Sequence, residues 1–200
     1  MKKTAWFFIA LSIFLISSCS LLSSAPTEPE HRYVLNTLPD TTIKKPRRQI
    51  TLFVAEPTAS ASYNTEQMAY CTQPYQINYF VKNSWNIPPA EMLQPLIIQT
   101  LQNTHHYHAV ISESVAGQAD YILNTQIEKL LQDYSHQRAE LHLIVRAEIV
   151  RTANYKVIAS KQFIIIKPIL AICPNGGVYA ANQATAEMLR QLAQFCLKNI

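Results

Sequence analysis

Three consecutive segments between residues 121 and 166, in which apolar and mostly polar residues alternate, constrain the fold more than any other part of this sequence. The middle segment is the clearest, since its apolar residues recur at every second position: Leu141, Leu143, Val145, Ala147 and Ile149. Alternate side chains of a β-strand point to opposite faces of the sheet. Because short connections join the three segments, we predict an antiparallel meander with one covered face.

Two helical segments are predicted to supply that cover. The first begins at Pro89, with Asn86 as its cap, and ends near Asn103; its internal Pro95 predicts a kink. The second runs from Tyr179 to Leu197, after a break at residues 174–177. The predicted fold class is α+β, with a mostly antiparallel sheet covered on one face by two main helices, near 89–103 and 179–197.

Shorter strands are predicted before the meander. One begins at Ile50 and ends at Pro57, and a strand pair covers 68–72 and 76–82, with Ile77, Tyr79 and Val81 on one face. A further short strand is predicted at 109–112. The strand at 157–166 is expected to place Val157, Ala159, Phe163 and Ile165 on one side, interrupted by Lys161.

The N-terminus has the pattern of an exported lipoprotein. Lys2 and Lys3 precede an uncharged, mostly apolar run at 5–16, which is too short to span a membrane. Ser17 and Ser18 then precede Cys19, the predicted site of covalent lipid attachment. No cofactor is predicted. The alternative is an ordinary signal peptide cut elsewhere. Ser20, which follows the cysteine, favours sorting to the outer membrane.

These features divide the chain into a signal peptide at 1–18, a lipidated tether at 19–49 and a folded domain at 50–200. The tether is polar and rich in proline, with one extended piece at 33–35. Its basic cluster is interpreted as solvated linker, with contact to lipid headgroups as the alternative: Lys44, Lys45, Arg47 and Arg48.

The sequence offers no recognisable catalytic motif, so we predict that the protein is not an enzyme. A net charge of +4 gives little reason to expect nucleic-acid binding, and none is predicted. The histidines in the run 105–108 suit the end of a helix, and no metal site is predicted there. Cys71, Cys173 and Cys196 are either free buried thiols or include one disulfide, for which Cys71–Cys173 is the favoured pair.

The order of these elements resembles the ABC-type transport auxiliary lipoprotein family, the PqiC-like lipoproteins. The resemblance covers roughly residues 31–198 and depends on the lipoprotein signal, the Tyr33-Val34-Leu35 piece and the alanine-rich closing helix. Its most specific parts are Trp85 and Ala119-Asp120-Tyr121. Pro95, the 105–108 run and the 173–177 loop depart from the family pattern.

The resemblance implies a non-enzymatic accessory protein of a lipid or hydrophobic-compound transporter, held at the periplasmic face of the outer membrane. The implied partner is a periplasmic protein of the mammalian-cell-entry (MCE) type, and the implied arrangement includes a homo-oligomeric ring. The alternative function is a structural or assembly lipoprotein that binds peptidoglycan or another envelope protein. Trp85 is a candidate partner contact, with core packing as the alternative.

Overall fold

The computed structural model describes residues 29–40, 45–113 and 119–200, and within them it contains two α-helices and one mixed sheet of nine strands. The predicted α+β class is therefore confirmed. No helix within these ranges is long and apolar enough to cross a membrane. The helices are α1 (Pro89–Gln102) and α2 (Pro174–Asn199), and a 3-10 turn covers Ala61–Tyr63. The strands are β1 (His31–Tyr33), β2 (Thr51–Val54), β3 (Thr58–Ala59), β4 (Gln67–Cys71), β5 (Asn78–Trp85), β6 (Ala109–Ile111), β7 (Tyr121–Asp133), β8 (Glu140–Arg151) and β9 (Lys156–Pro168).

Strand β7 organises the sheet because it is paired along both edges. On one edge it pairs antiparallel with β8 over its whole length, from Tyr121 opposite Arg151 to Asp133 opposite Glu140. On the other edge the shorter strands β2, β3 and β4 lie one after another beside it, all parallel to it. These three strands act as one interrupted strand along β7.

The remaining strands extend the sheet outward. β6 lies beside β2, β5 lies antiparallel to β4, and β1 lies parallel to β5. β9 pairs antiparallel with β8 and ends the sheet on that side. The longest pairings are thus the antiparallel ones of the predicted meander, whereas the parallel pairings of the short strands were not predicted.

The inward face of β8 forms the centre of the core, as its alternation predicted. Its five apolar residues are at most 2% exposed: Leu141, Leu143, Val145, Ala147 and Ile149. Helix α2 packs against β8 and β9 through a face that includes Ala180, Ala181 and Ala184, each almost completely buried. Such small side chains allow the helix to approach the sheet closely, while Met188 and Leu192 fill the space further along it.

The first helix begins at Pro89 as predicted, but its capping residue differs, and the second helix begins earlier than predicted. Helix α1 has Pro88, not Asn86, in the capping position, and no side chain caps it. The Asn86 backbone N–H instead donates to the Tyr33 carbonyl at 2.8 Å. Helix α2 begins at Pro174, five residues before the predicted start, because the glycine pair that suggested a break belongs to its first turns. A Cβ at Gly177 would lie 2.0 Å from Oε1 of Gln132, so glycine permits close contact with β7.

Two valines that alternation grouped with other apolar residues face solvent, and Ile77, which was grouped with Val81, is also 43% exposed. The register between β8 and β9 shifts between Ile149 and Val150, so Val157 is turned outward and is 48% exposed. The pairing of β4 with β5 shifts in the same way, and Val81 is 93% exposed. A bulge adds residues to one strand of a pair and so changes the face on which the later side chains lie. The alternation within that strand does not reveal where a bulge occurs.

The packed part of the protein extends into the segment predicted to be a tether. Strand β1 pairs with β5, and Leu35 is 5% exposed. The side chain of Asn182 in α2 accepts hydrogen bonds from the backbone N–H groups of Asn36 and Thr37, at 2.9 and 3.2 Å. Residues 31–37 are therefore held by the sheet and by α2, although they lie before the predicted start of the domain at residue 50.

Candidate interaction surface

The predicted lipid site, Cys19, lies outside the described residues, so it stays a prediction. Trp85 lies at the end of β5 and is 3% exposed. Its backbone N–H donates to the Glu66 carbonyl at 2.7 Å. The structure thus supports the core alternative for Trp85, because a side chain this buried has almost no area left for a partner.

The histidine run after α1 separates into one buried and two exposed residues. His106 is 3% exposed, and its Nδ1 lies 2.6 Å from the Pro46 carbonyl oxygen. His105 and His108 are exposed, and His105 has a positive φ of 54° at the chain reversal after the helix. Across residues 29–40, 45–113 and 119–200, no group of three or more His, Cys, Asp or Glu side chains could hold a metal ion.

The cysteines at 71, 173 and 196 are free thiols. Cys71 and Cys196 are buried; burial is the main cause that raises the pKa of the Cys71 thiol, and it raises that of Cys196 to about 12. Both are therefore poor nucleophiles near neutral pH. Cys173 is exposed just before α2. The favoured Cys71–Cys173 disulfide is not formed in this structure.

One carboxylate, Asp133, lies close to Cys71 and His142 at the end of β7. Partial burial acts to raise its pKa, but hydrogen bonds from Ser135 and Cys71 and the nearby His142 outweigh burial, so the pKa of Asp133 is below its usual value. Ser135 donates to Oδ1 from its hydroxyl at 2.6 Å and from its backbone N–H at 2.8 Å. An ionised, hydrogen-bonded carboxylate of this kind stabilises the turn after β7 and is poorly suited to remove a proton.

The outer face of the meander combines a polar centre with an apolar margin. Glu128 is the centre: it accepts a 2.6 Å hydrogen bond from Nε of Arg146 and another from the Gln162 side chain. The margin lies on β9, where Ile164 and Ile166 are 58% and 49% exposed. Among the described strands, β9 pairs only with β8, which leaves its other edge available to a further strand or a partner.

Three of the four most exposed large apolar residues lie in loops at one end of the sheet, which we call the loop end; the fourth, Val81, lies within β5. The loop end consists of residues 72–77 between β4 and β5, 134–139 between β7 and β8, and 169–173 between β9 and α2. Strand registers bring these loops together, because Asp133 is paired with Cys71 and with Glu140, and Glu140 with Pro168. Tyr75, Leu170 and Ile172 there are almost fully exposed, at 107%, 85% and 82%.

Comparison with protein families decides where this fold belongs. The model for the ABC-type transport auxiliary lipoprotein component matches residues 33–193. The chain belongs to this family. It is a family of auxiliary lipoprotein components and not a known family of enzymes. The resemblance predicted from the sequence is thus confirmed.

Solved structures agree with this assignment at the level of the fold. A Xanthomonas campestris protein of the DUF330 family superimposes with a TM-score of 0.73 at 18% identity, over 84% of this chain and 95% of that one. A second, uncharacterised protein superimposes with a TM-score of 0.67 at 14% identity, over 84% and 99% of the two chains. No protein of curated function matches this chain significantly.

Sequence reasoning missed the loop end as a surface. No role is predicted from the sequence for Leu170 and Ile172, which follow the break at Lys167-Pro168 after the apolar run 163–166. The signal that could have found them is Pro168, which ends β9, followed by apolar residues before a helix that starts at Pro174.

Proposed function

We propose that this protein is a non-enzymatic accessory lipoprotein of an MCE-type ABC system that transports a lipid or another hydrophobic compound. In this proposal, acyl chains on Cys19 hold it at the periplasmic face of the outer membrane, and the domain docks the periplasmic component there. The observation that carries the proposal is the family match over residues 33–193, which covers β2 to β9 and most of α2.

Features of the domain support a binding role over a catalytic one. Among the described residues, the thiols and the carboxylates with shifted pKa values are either buried or tied into local hydrogen bonds. The surface offers instead an open strand edge on β9 and an apolar loop end. Exposed apolar area beside an unpaired strand is typical of surfaces that recognise other proteins or membranes.

Affinity capture of the intact lipoprotein from detergent-solubilised envelope tests the partner. We expect an MCE-type protein, and with it the ATPase and permease of an ABC transporter, to be recovered. The matched control is an unrelated outer-membrane lipoprotein carrying the same affinity tag. Recovery of peptidoglycan or assembly proteins without any transporter component would favour the structural alternative and contradict the proposal.

The anchor is tested separately by a substitution at Cys19. Cys19→Ala removes the thiol that would carry the acyl chains, so we expect the protein to leave the outer-membrane fraction when envelopes are separated by density. Cys173→Ala is the matched control, since it removes an exposed thiol elsewhere and should leave fractionation unchanged. Unchanged fractionation of Cys19→Ala would show that another feature places the protein.

A further inference from the structure

We propose that the loop end (72–77, 134–139 and 169–173) rests on the surface of the membrane that carries the lipid anchor, with Leu170 and Ile172 inserted among the lipids. This inference rests on the proposed anchoring at Cys19 and adds to it an orientation of the domain. The occupant of the apolar surface is therefore a phospholipid bilayer, and not a second copy of the chain or a partner protein.

The direction in which the chain enters the domain is the first argument. β5 begins at the loop end, where Asn78 lies opposite Tyr70, and it runs away from that end. β1 is parallel to β5, with His31 opposite Asn83, so the chain enters β1 from the side of the loop end. Ser84 donates to Oε1 of Glu30 at 2.7 Å, which keeps the residue before β1 beside β5.

The length of the segment before β1 is sufficient for this orientation. His31 lies opposite a residue five positions along β5 from Asn78, which corresponds to about 17 Å from the loop end. Eleven residues lie between Cys19 and His31, and an extended chain of that length spans at most about 40 Å. An anchor at Cys19 can therefore reach a membrane that touches the loop end. The opposite end of the domain lies further from His31, because β7 and β9 are 13 residues long.

The composition of the loop end is the second argument. Its three loops contain the exposed cation Arg138 and the exposed His136, and they contain no carboxylate. Arg138 is thus available to anionic headgroups at the level where Leu170 and Ile172 would enter the apolar layer. These loops contain no acidic side chain that would repel anionic headgroups.

The local structure explains why the two aliphatic side chains point outward. Ile169 is 5% exposed, and its N–H donates to the Ala139 carbonyl at 2.8 Å, which fixes the start of the loop. At the other end, a Cβ at Gly176 would lie 2.0 Å from the Ala171 carbonyl oxygen, so the loop lies directly against the first turn of α2. Leu170 and Ile172 are left on the outer side of a loop that is held at both ends.

Depth-dependent fluorescence quenching tests this orientation with the full lipidated chain. The protein is incorporated into vesicles of phosphatidylethanolamine and phosphatidylglycerol that contain a lipid with a nitroxide on its acyl chain. The exposed thiol of Cys173 is labelled with a fluorophore; Cys71 and Cys196 are buried. The comparison site is Ala153→Cys in a Cys173→Ser background, an exposed position in the turn between β8 and β9 at the opposite end.

Insertion of the loop end predicts that nitroxide quenches the label at Cys173 at least about twofold more strongly than the label at Ala153→Cys, since interfacial contacts reach about 5–10 Å into the bilayer. Leu170→Ser with Ile172→Ser should reduce this difference. The matched control, Val157→Ser at the opposite end, should leave it unchanged, because Val157 is also an exposed apolar residue. Circular dichroism of each variant establishes that it is folded.

Three outcomes would overturn the inference in distinguishable ways. Equal quenching at both sites, in a chain that floats with the vesicles, would contradict the orientation and leave the anchor intact. A label at Cys173 that shifts to shorter wavelength without quenching by nitroxide would indicate a protein contact, either a second copy or a partner. A chain that does not float with the vesicles would contradict the anchor and with it this orientation. The proposed transporter partner is tested separately, by the affinity capture described above.

Discussion

At the scale of single residues, buried polar groups connect parts of the chain that are distant in sequence. His106 is the best example, because its ring lies between the Pro46 carbonyl at 2.6 Å from Nδ1 and the Ile200 oxygen at 3.4 Å from Nε2. The shorter contact indicates that Nδ1 carries the proton and donates to Pro46. The Arg48 N–H also donates to the His106 carbonyl at 2.7 Å, so this residue holds the segment that precedes β2.

Replacing His106 should therefore destabilise the protein more than replacing the exposed His108. We expect His106→Leu to lower the free energy of unfolding by about 1–3 kcal/mol, since the Pro46 carbonyl loses its buried donor. Urea titration of the purified protein measures this change. His108→Leu is the control, because His108 is exposed. Equal effects of the two substitutions would mean that the His106 contacts add nothing to stability.

Asp133 predicts a pH-dependent contribution to stability. Its pKa in the folded protein is lower than its value of about 3.9 in an unfolded chain, so its contribution is present above about pH 4 and is lost as the pH falls through the folded pKa. Ser135→Ala removes the 2.6 Å hydroxyl donor and should raise the pKa of Asp133. We expect the variant to be less stable than the parent near pH 7, by about 1 kcal/mol, and the difference to be smaller at about pH 3.

Urea unfolding at both pH values measures this difference. Ser160→Ala is a suitable control, since its hydroxyl donates to an exposed carboxylate at the longer distance of 3.4 Å. A difference for Ser135→Ala that does not change with pH would show that the hydroxyl stabilises the turn independently of the charge on Asp133.

At the scale of elements, helix α2 depends on small side chains where it meets the sheet. Ala184 is completely buried on the face that packs against the meander, whereas Ala186, half a turn further, is only half-buried. Ala147 on β8 is also completely buried. The close packing of helix and sheet thus leaves little room for a larger side chain at position 184.

Enlarging that side chain should disturb the contact. We expect Ala184→Leu to lower the free energy of unfolding by about 1–3 kcal/mol, because added methylene groups in a packed core force neighbouring side chains to move. Ala186→Leu adds the same volume on a partly exposed side and should cost less. Thermal unfolding followed by circular dichroism compares the two. A larger loss for Ala186→Leu would contradict the packing described for α2.

Elements whose signals are local could be predicted from the sequence, and those that depend on distant pairing could not. The meander was predicted because the alternation in β8 lies within the strand itself and its partners follow directly in the chain. The placement of β2 beside β7 leaves no such signal, since Leu52 pairs with Tyr121. The early start of α2 was missed because Gly176 and Gly177 usually interrupt a helix, whereas here they permit close contacts.

The candidate surface, too, could be predicted only in part from the sequence. Cys19 and the family could be predicted from residue patterns along the chain, and the core alternative for Trp85 was considered from sequence alone. The loop end could not be predicted, because its loops are separated by 56 and 29 residues along the chain and meet only through the strand registers. Exposure of Leu170 and Ile172 likewise depends on how the loop lies against α2.

At the scale of the whole molecule, Asn182 attaches the N-terminal segment to the domain. Its Oδ1 accepts from Asn36, and from the N–H and hydroxyl of Thr37, while its Nδ2 donates to the Val34 carbonyl at 3.0 Å. One side chain therefore satisfies several backbone groups of a segment that has left β1 and is not part of the sheet. This attachment holds the segment that follows β1 against α2.

Loss of Asn182 should loosen that segment without unfolding the domain. We expect Asn182→Ala to increase amide hydrogen exchange at Asn36 and Thr37 at least about tenfold, as their N–H groups lose the acceptor. Proteolysis within residues 31–40 should also become faster. Gln183→Ala is the control, since Gln183 is the exposed neighbour in the same helix. Unchanged exchange would mean that β1 alone fixes the segment.

The position of β7 at the centre of the sheet has a consequence for biogenesis. Strand β2 is synthesised about seventy residues before the part of β7 with which it pairs. Strand β4 can pair with β5 soon after synthesis, but its pairing with β7 must wait for β7, and such long-range pairing is intrinsically slow. The complete sheet can therefore form only after β7 has been synthesised, so the first half of the chain remains short of its final fold until then.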